Sequence, residues 1–135
     1  DQAMRIRMRD YGEHVGIAFQ IRDDLLDYLG RRSVIGKPTG IDLKEKKLTI
    51  PLIYALHHGA RTDAKQALRL VKNGTKKKDV EWVVKFVENS GGIQYAVGKA
   101  EQYAEAARAD LAGLPDSQAK EALVRFVDFV TQRDS

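Results

Sequence analysis

Asp23, Asp24 and Asp27 form an Asp-Asp-x-x-Asp group inside a stretch with helical spacing of apolar residues. Positions one and four residues apart share a sector of a helix, so Asp23 and Asp27 stack on one face. Like charges held that close repel unless water or a cation neutralises them. Carboxylates with no histidine or cysteine beside them are hard oxygen donors, and the ion they suit is magnesium. An acidic helix face taken alone is commonplace and is explained by solvation; the neighbouring residues make this one more specific. Gln20 precedes Asp23 by three residues and Asp24 by four, which puts a neutral amide on the acidic face one turn earlier, next to Phe19 and Ile21. That much apolar sequence around acids points to a helix packed against others.

Gly36-Lys37-Pro38-Thr39-Gly40-Ile41-Asp42 follows within the reach of one loop, and Lys46, Lys47 and Thr49 come soon after. Lysines held beside a carboxylate-bound magnesium form a receptor for a diphosphate, because metal and ammonium share its negative charge. The pattern is not a P-loop. Gly36-Lys37 lacks the upstream glycine and the Ser or Thr directly after the lysine, and it follows a helix instead of a strand.

The elements that must position these groups are all helical. Ile6, Tyr11, Val15, Ala18, Phe19, Ile21, Leu25, Leu26 and Leu29 recur at near-helical spacing, which predicts one helix over residues 2–29 with Gly30 as its stop. Residues 31–47 are too broken by Gly36, Pro38 and Gly40 for a helix and do not alternate as a strand, so they form a loop. Thr49 is placed to cap a helix that accepts Pro51 in its first turn, carries Leu52, Ile53 and Leu56 as its stripe and ends at Gly59. Further helices are expected over about 62–73, 76–89, 92–112 and 117–132, punctuated by Asn73-Gly74, Ser90-Gly91-Gly92 and a turn through Leu114-Pro115-Asp116 into a Ser117 cap. Alanines 96, 100, 104 and 107 mark a close-packing face, and Lys76-Lys77-Lys78 reads as a solvated turn. No stretch alternates, so the fold class is an all-α helical bundle.

A chain of 135 residues with 43% hydrophobic content is large enough for one compact domain over residues 1–135. Cysteine is absent, which excludes disulfides, thiolate metal sites and a cysteine nucleophile, and suits the cytoplasm. The apolar runs fall well short of the roughly 20 residues of a membrane span, and no leader pattern is present. The charge of +4 suits an anionic partner without choosing among nucleic acid, lipid and phosphorylated small molecules. The opening at Asp1, directly in helix-compatible sequence, leads us to expect a piece of a longer protein.

Taken together, Phe19-Gln20-Ile21-Arg22-Asp23-Asp24-Leu25-Leu26-Asp27, Gly36-Lys37-Pro38-Thr39-Gly40-Ile41-Asp42-Leu43 and Lys47-Leu48-Thr49-Ile50-Pro51-Leu52 resemble, in order and spacing, the second aspartate-rich region of the trans-isoprenyl (polyprenyl) diphosphate synthases. Ser90-Gly91-Gly92-Ile93, Tyr95-Ala96 and the alanine-rich helix resemble the C-terminal region of that family, so the resemblance covers essentially the whole chain. It implies the C-terminal part of an isoprenoid-synthase-type helical fold. It also implies that Asp23 is a direct magnesium ligand, with Asp24 and Asp27 completing or hydrating the site. Gln20 would touch the allylic substrate or the metal-bound water network, Phe19 would meet the substrate, and Lys37 and Lys47 would hold its diphosphate, with Lys37 and Asp23 the catalytic pair.

The implied reaction condenses isopentenyl diphosphate with an allylic diphosphate through a carbocation, in an enzyme that is usually a dimer. The family's first aspartate motif and its basic site for isopentenyl diphosphate have no counterpart in these residues. The chain by itself is therefore expected to be inactive.

Other candidates fare less well. His14, His57 and His58 lack a spacing that converges on one metal, Trp82 and Phe86 at i, i+4 read as core, and Ser33 and Ser117 have no triad partners. Two alternative functions compete with the enzyme. One is a non-catalytic helical subunit or scaffold of a heteromeric prenyl synthase. The other is a nucleic-acid-binding module, against which the basic residues are scattered among acids with no helix-turn-helix or aromatic-basic platform.

Overall fold

The computed structural model describes residues 1–29, 48–73 and 76–132. In chain order these form α1 (Gln2–Leu29), α2 (Ile50–His58), α3 (Arg61–Asn73), α4 (Lys77–Asn89), α5 (Gly92–Ala112) and α6 (Gln118–Gln132). No strand occurs among the described residues, and none of their helices is long and apolar enough to cross a membrane. The all-helical expectation holds, and the helix limits fall within a residue of those predicted. Gly30 and the loop to Lys47 lie outside the described residues.

The residues group into two compact units. Residues 1–22 and the stretch from Gly98 onward make one. Its core is Tyr11, Val15 and Ala18 of α1, Ala104, Ala107 and Leu111 of α5, and Val127 and Val130 of α6. Ala104 and Ala107 are fully buried, as the small-residue stripe predicts, since methyl groups let neighbouring backbones approach closely. Polar pairs then fix the register. The Tyr11 hydroxyl donates to the Leu123 carbonyl at 2.8 Å, His14 Nδ1 meets Asp110 Oδ2 at 2.6 Å, and Arg108 bonds both Asp128 and Glu105 at 2.8 Å. The Ser117 cap forms as expected, its Oγ accepting the Lys120 N–H at 3.0 Å.

Residues Asp23–Val97 make the other unit. Tyr28 from the end of α1 joins Leu52 and Ala55 of α2, Ala67 and Val71 of α3, and Val83, Phe86 and Val87 of α4. Gly91, at φ +80°, sits in the left-handed region between α4 and α5, where a side chain would be strained. A Cβ on Gly92 would run into the Pro51 carbonyl, so the Gly91-Gly92 pair both turns the chain and lets α5 start against α2. The triple lysine at 76–78 is exposed, as a solvated turn requires.

Three expectations need correction. Ile6 and Phe19, counted in the α1 stripe, are exposed, because the buried face is carried by Tyr11, Val15, Ala18, Ile21 and Leu25. Ile53 is likewise exposed, since Pro51, Leu52 and Ala55 take the buried side of the short α2. Thr49 occupies the N-cap position but makes no side-chain cap bond. Its hydroxyl instead lies 3.4 Å from the Tyr28 hydroxyl, and the cap position is held by its carbonyl, which accepts the Ile53 N–H at 2.9 Å.

Candidate functional site

The last turns of α1 put the three aspartates where the core meets solvent. Ile21, Leu25, Leu26 and Tyr28 are buried on the face that packs, which carries the intervening positions partly inward. Asp23 and Asp24 are half-buried, and Asp27 is fully buried. The helical backbone therefore holds the acids as a column that runs from partial exposure into the interior. Carboxylates of like charge held on one helix sector repel one another, and a cation shared between them relieves that repulsion. Phe19, 40% exposed, and the exposed Gln20 stand one turn earlier on the same uninterrupted helix.

Tyr28 and Thr49, both buried, bring the end of α1 to the start of α2. The start of α2 thus lies against the last turn of α1. Lys37 and Lys47 lie outside the described residues.

Whether these residues suit a metal follows from their donor chemistry. Among the described residues no group of three carboxylate or imidazole side chains converges as a ready-made metal cage. Magnesium is ordinarily held by one or two carboxylates together with substrate phosphates and water, and not by an all-protein cage. Partly exposed carboxylates above a buried one fit an ion that shares its coordination with a diphosphate.

Sequence reasoning placed the acids on one face but missed how deep Asp27 lies; Leu25 and Leu26 before it and Tyr28 after it were the available signal. It also missed the His14–Asp110 pair, which joins α1 to α5 across 96 positions that no local pattern connects. The histidine pair at the end of α2 is exposed, in line with a surface role, but Trp82 is not core: it stays 36% exposed and lines a cavity together with His58.

Residues 1–87 match the model of the polyprenyl synthetase family. The octaprenyl diphosphate synthase of Escherichia coli (strain K12) is 37% identical over 127 residues, which take in 94% of this chain and 39% of that protein. The polyprenyl synthase from Caulobacter crescentus CB15, crystallised with calcium and isoprenyl diphosphate, matches with a TM-score of 0.90 at 33% identity, over 100% of this chain and 42% of that one. The geranylgeranyl pyrophosphate synthase from Bacteroides thetaiotaomicron matches with a TM-score of 0.83 at 40% identity, over 95% of this chain and 42% of that one. The chain spans about two fifths of the length of the curated relatives it matches. With well over half of its residues matched by the family model, and an aspartate column where the sequence resemblance puts one, the chain belongs to the polyprenyl synthetase family.

Proposed function

We propose that the protein of which this chain forms part condenses isopentenyl diphosphate with an allylic diphosphate, and that these residues supply the wall carrying the second aspartate-rich motif. The observation that carries the proposal is the aspartate column at the end of α1, with Asp27 buried beneath half-buried Asp23 and Asp24, in a fold matching a synthase crystallised with calcium and isoprenyl diphosphate. In this reading Asp23 is the direct ligand of magnesium, and Asp24 and Asp27 complete or hydrate its site. When bound, magnesium would neutralise the charge that develops on a departing diphosphate.

The chain's own residues do the positioning. A helical backbone presents the carboxylates in one sector before any ligand arrives, so little reorganisation accompanies binding. Lys37, and Lys47 after it, add ammonium charge against the diphosphate. Gln20 and Phe19, both exposed, offer an amide and an apolar ring to the allylic substrate. The reaction then proceeds by ionisation of the allylic carbon–oxygen bond, attack of the isopentenyl double bond on the carbocation, and loss of a proton. The sequence holds one aspartate-rich motif, so these residues are taken to bind diphosphate without completing the condensation. The complete enzyme is taken to be a homodimer of the cytoplasm, the location that a cysteine-free sequence suits.

The test is calorimetry of the wild-type chain and Asp23→Ala with magnesium and inorganic diphosphate. Removing one ligand should weaken magnesium-dependent diphosphate binding at least about tenfold. Equal affinities in the two proteins would remove Asp23 from the site.

A further inference from the structure

The turn from α2 into α3 faces the C-terminal half of α4 across a cavity of about 540 Å³, within the size range of small-ligand sites. Trp82, Lys85, Phe86 and Asn89 recur at i, i+3, i+4 and i+7 and so share one face of α4; His58 and Asp63 line the cavity from α2 and α3. The Trp82 ring lies 5.8 Å from that of Phe86 at an interplanar angle of 13°, yet Trp82 is still 36% exposed. An indole backed by a second ring and accessible to solvent is a stacking platform for another flat ring.

One polar group beside it is set in place. His58 Nδ1 lies 3.1 Å from the Tyr54 carbonyl, which can only accept, so that nitrogen donates to it and Nε2 is left for a ligand. The imidazole plane is fixed by stacking on Tyr54 at 4.1 Å, and Tyr54 stacks in turn on Tyr95 at 4.4 Å. Asp63 adds an acceptor, Asn89 offers both donor and acceptor, and Lys85 supplies a cation. Gly59 closes one side: a Cβ there would come within 2.7 Å of both Phe86 Cε1 and Ser90 Oγ, so the turn fits against α4 only without a side chain.

We propose that this cavity binds a purine nucleoside monophosphate, with the base stacked on Trp82 and the phosphate on Lys85. The Asp63 carboxylate suits an exocyclic amine, and Asn89 and the His58 ring suit ring nitrogens. The single lysine of the lining offers one cation, which suits one phosphate group and not a longer polyphosphate. The lining shares no residue with the aspartate column, and the proposal does not rest on the prenyltransferase reading.

Trp82 is the only tryptophan in the sequence, so its fluorescence reports on the cavity directly. Titration of the 135-residue chain with 5′-AMP should give a saturable change. Lys85 is exposed, so Lys85→Ala should keep the far-UV circular dichroism of the wild type while weakening AMP about tenfold and leaving adenosine unaffected. Asp23→Ala should bind AMP as the wild type does. The proposal is overturned by the lack of a saturable response to AMP and GMP at millimolar concentration, by inorganic phosphate or diphosphate matching AMP, by unchanged AMP affinity in Lys85→Ala, or by a parallel loss in Asp23→Ala.

Discussion

Along α1, the turns before Arg22 and the turns after it use polar residues in opposite ways. In the earlier turns three polar groups have an opposite number on another helix: Tyr11 with the Leu123 carbonyl, Arg7 with the Asp110 carbonyl at 3.3 Å, His14 with the Asp110 carboxylate. In the later turns three carboxylates of the same charge are gathered on one sector, and the deepest of them is fully buried. The first arrangement lowers the free energy of the fold. In the second, like charges on one sector repel one another, and under the proposed function a bound cation would relieve that repulsion. Under the proposed function, the difference separates polar residues that hold helices together from those that would meet a ligand.

Three substitutions measure how sharp that contrast is, in descending order of expected effect. Leu111 is 1% exposed in a close-packed core of Tyr11, Val15, Ala104, Ala107, Val127 and Val130, which leaves a cavity when its side chain is cut back. Leu111→Ala should therefore lower stability by about 3 kcal/mol in urea denaturation. A loss near zero would mean that the small-residue stripe is not tightly packed.

Tyr11→Phe comes next and should cost about 1 kcal/mol at neutral pH, because the Leu123 carbonyl loses its donor. Burial also pushes the Tyr11 hydroxyl above its usual pKa of 10.0. As pH rises through that value the unfolded chain loses its phenolic proton before the folded one does, so the unfolded state binds fewer protons and stability falls with rising pH. The alkaline decline in melting temperature should begin near pH 10 in the wild type and be shallower in Tyr11→Phe. Identical alkaline profiles would show that Tyr11 is as accessible folded as unfolded.

The smallest effect is expected from Asp23→Ala on stability, as distinct from binding. Relief of like-charge repulsion should leave the protein unchanged or more stable by about 0.3 kcal/mol. If Asp23→Ala instead destabilised the chain as much as Tyr11→Phe, the aspartate column would be a structural network like that of the earlier turns, and the contrast would collapse.

Residue types and spacing were enough to establish the helical class, the limits of nearly every helix, the Ser117 cap, the alanine stripe and the sharing of one face by the aspartates. These features depend on interactions between residues a few positions apart, which the helical period of 3.6 makes readable from a single chain. The resemblance added the family, because three motifs in order constrain identity more than any one of them does. Tertiary structure decided the remainder. The exposure of Ile6, Ile53 and Trp82, the complete burial of Asp27, the diversion of the Thr49 hydroxyl to Tyr28 and the pairing of His14 with Asp110 all depend on which helix lies opposite. An apolar residue at helical spacing records that one side of a helix is buried, but the edge of that side is set by the width of the neighbour packed against it. The cavity lined by Trp82 shows the same division: the sequence paired Trp82 with Phe86 at i, i+4 and read both as core, whereas His58 and Asp63 reached that face only when the turn at Gly59 folded the chain back against α4.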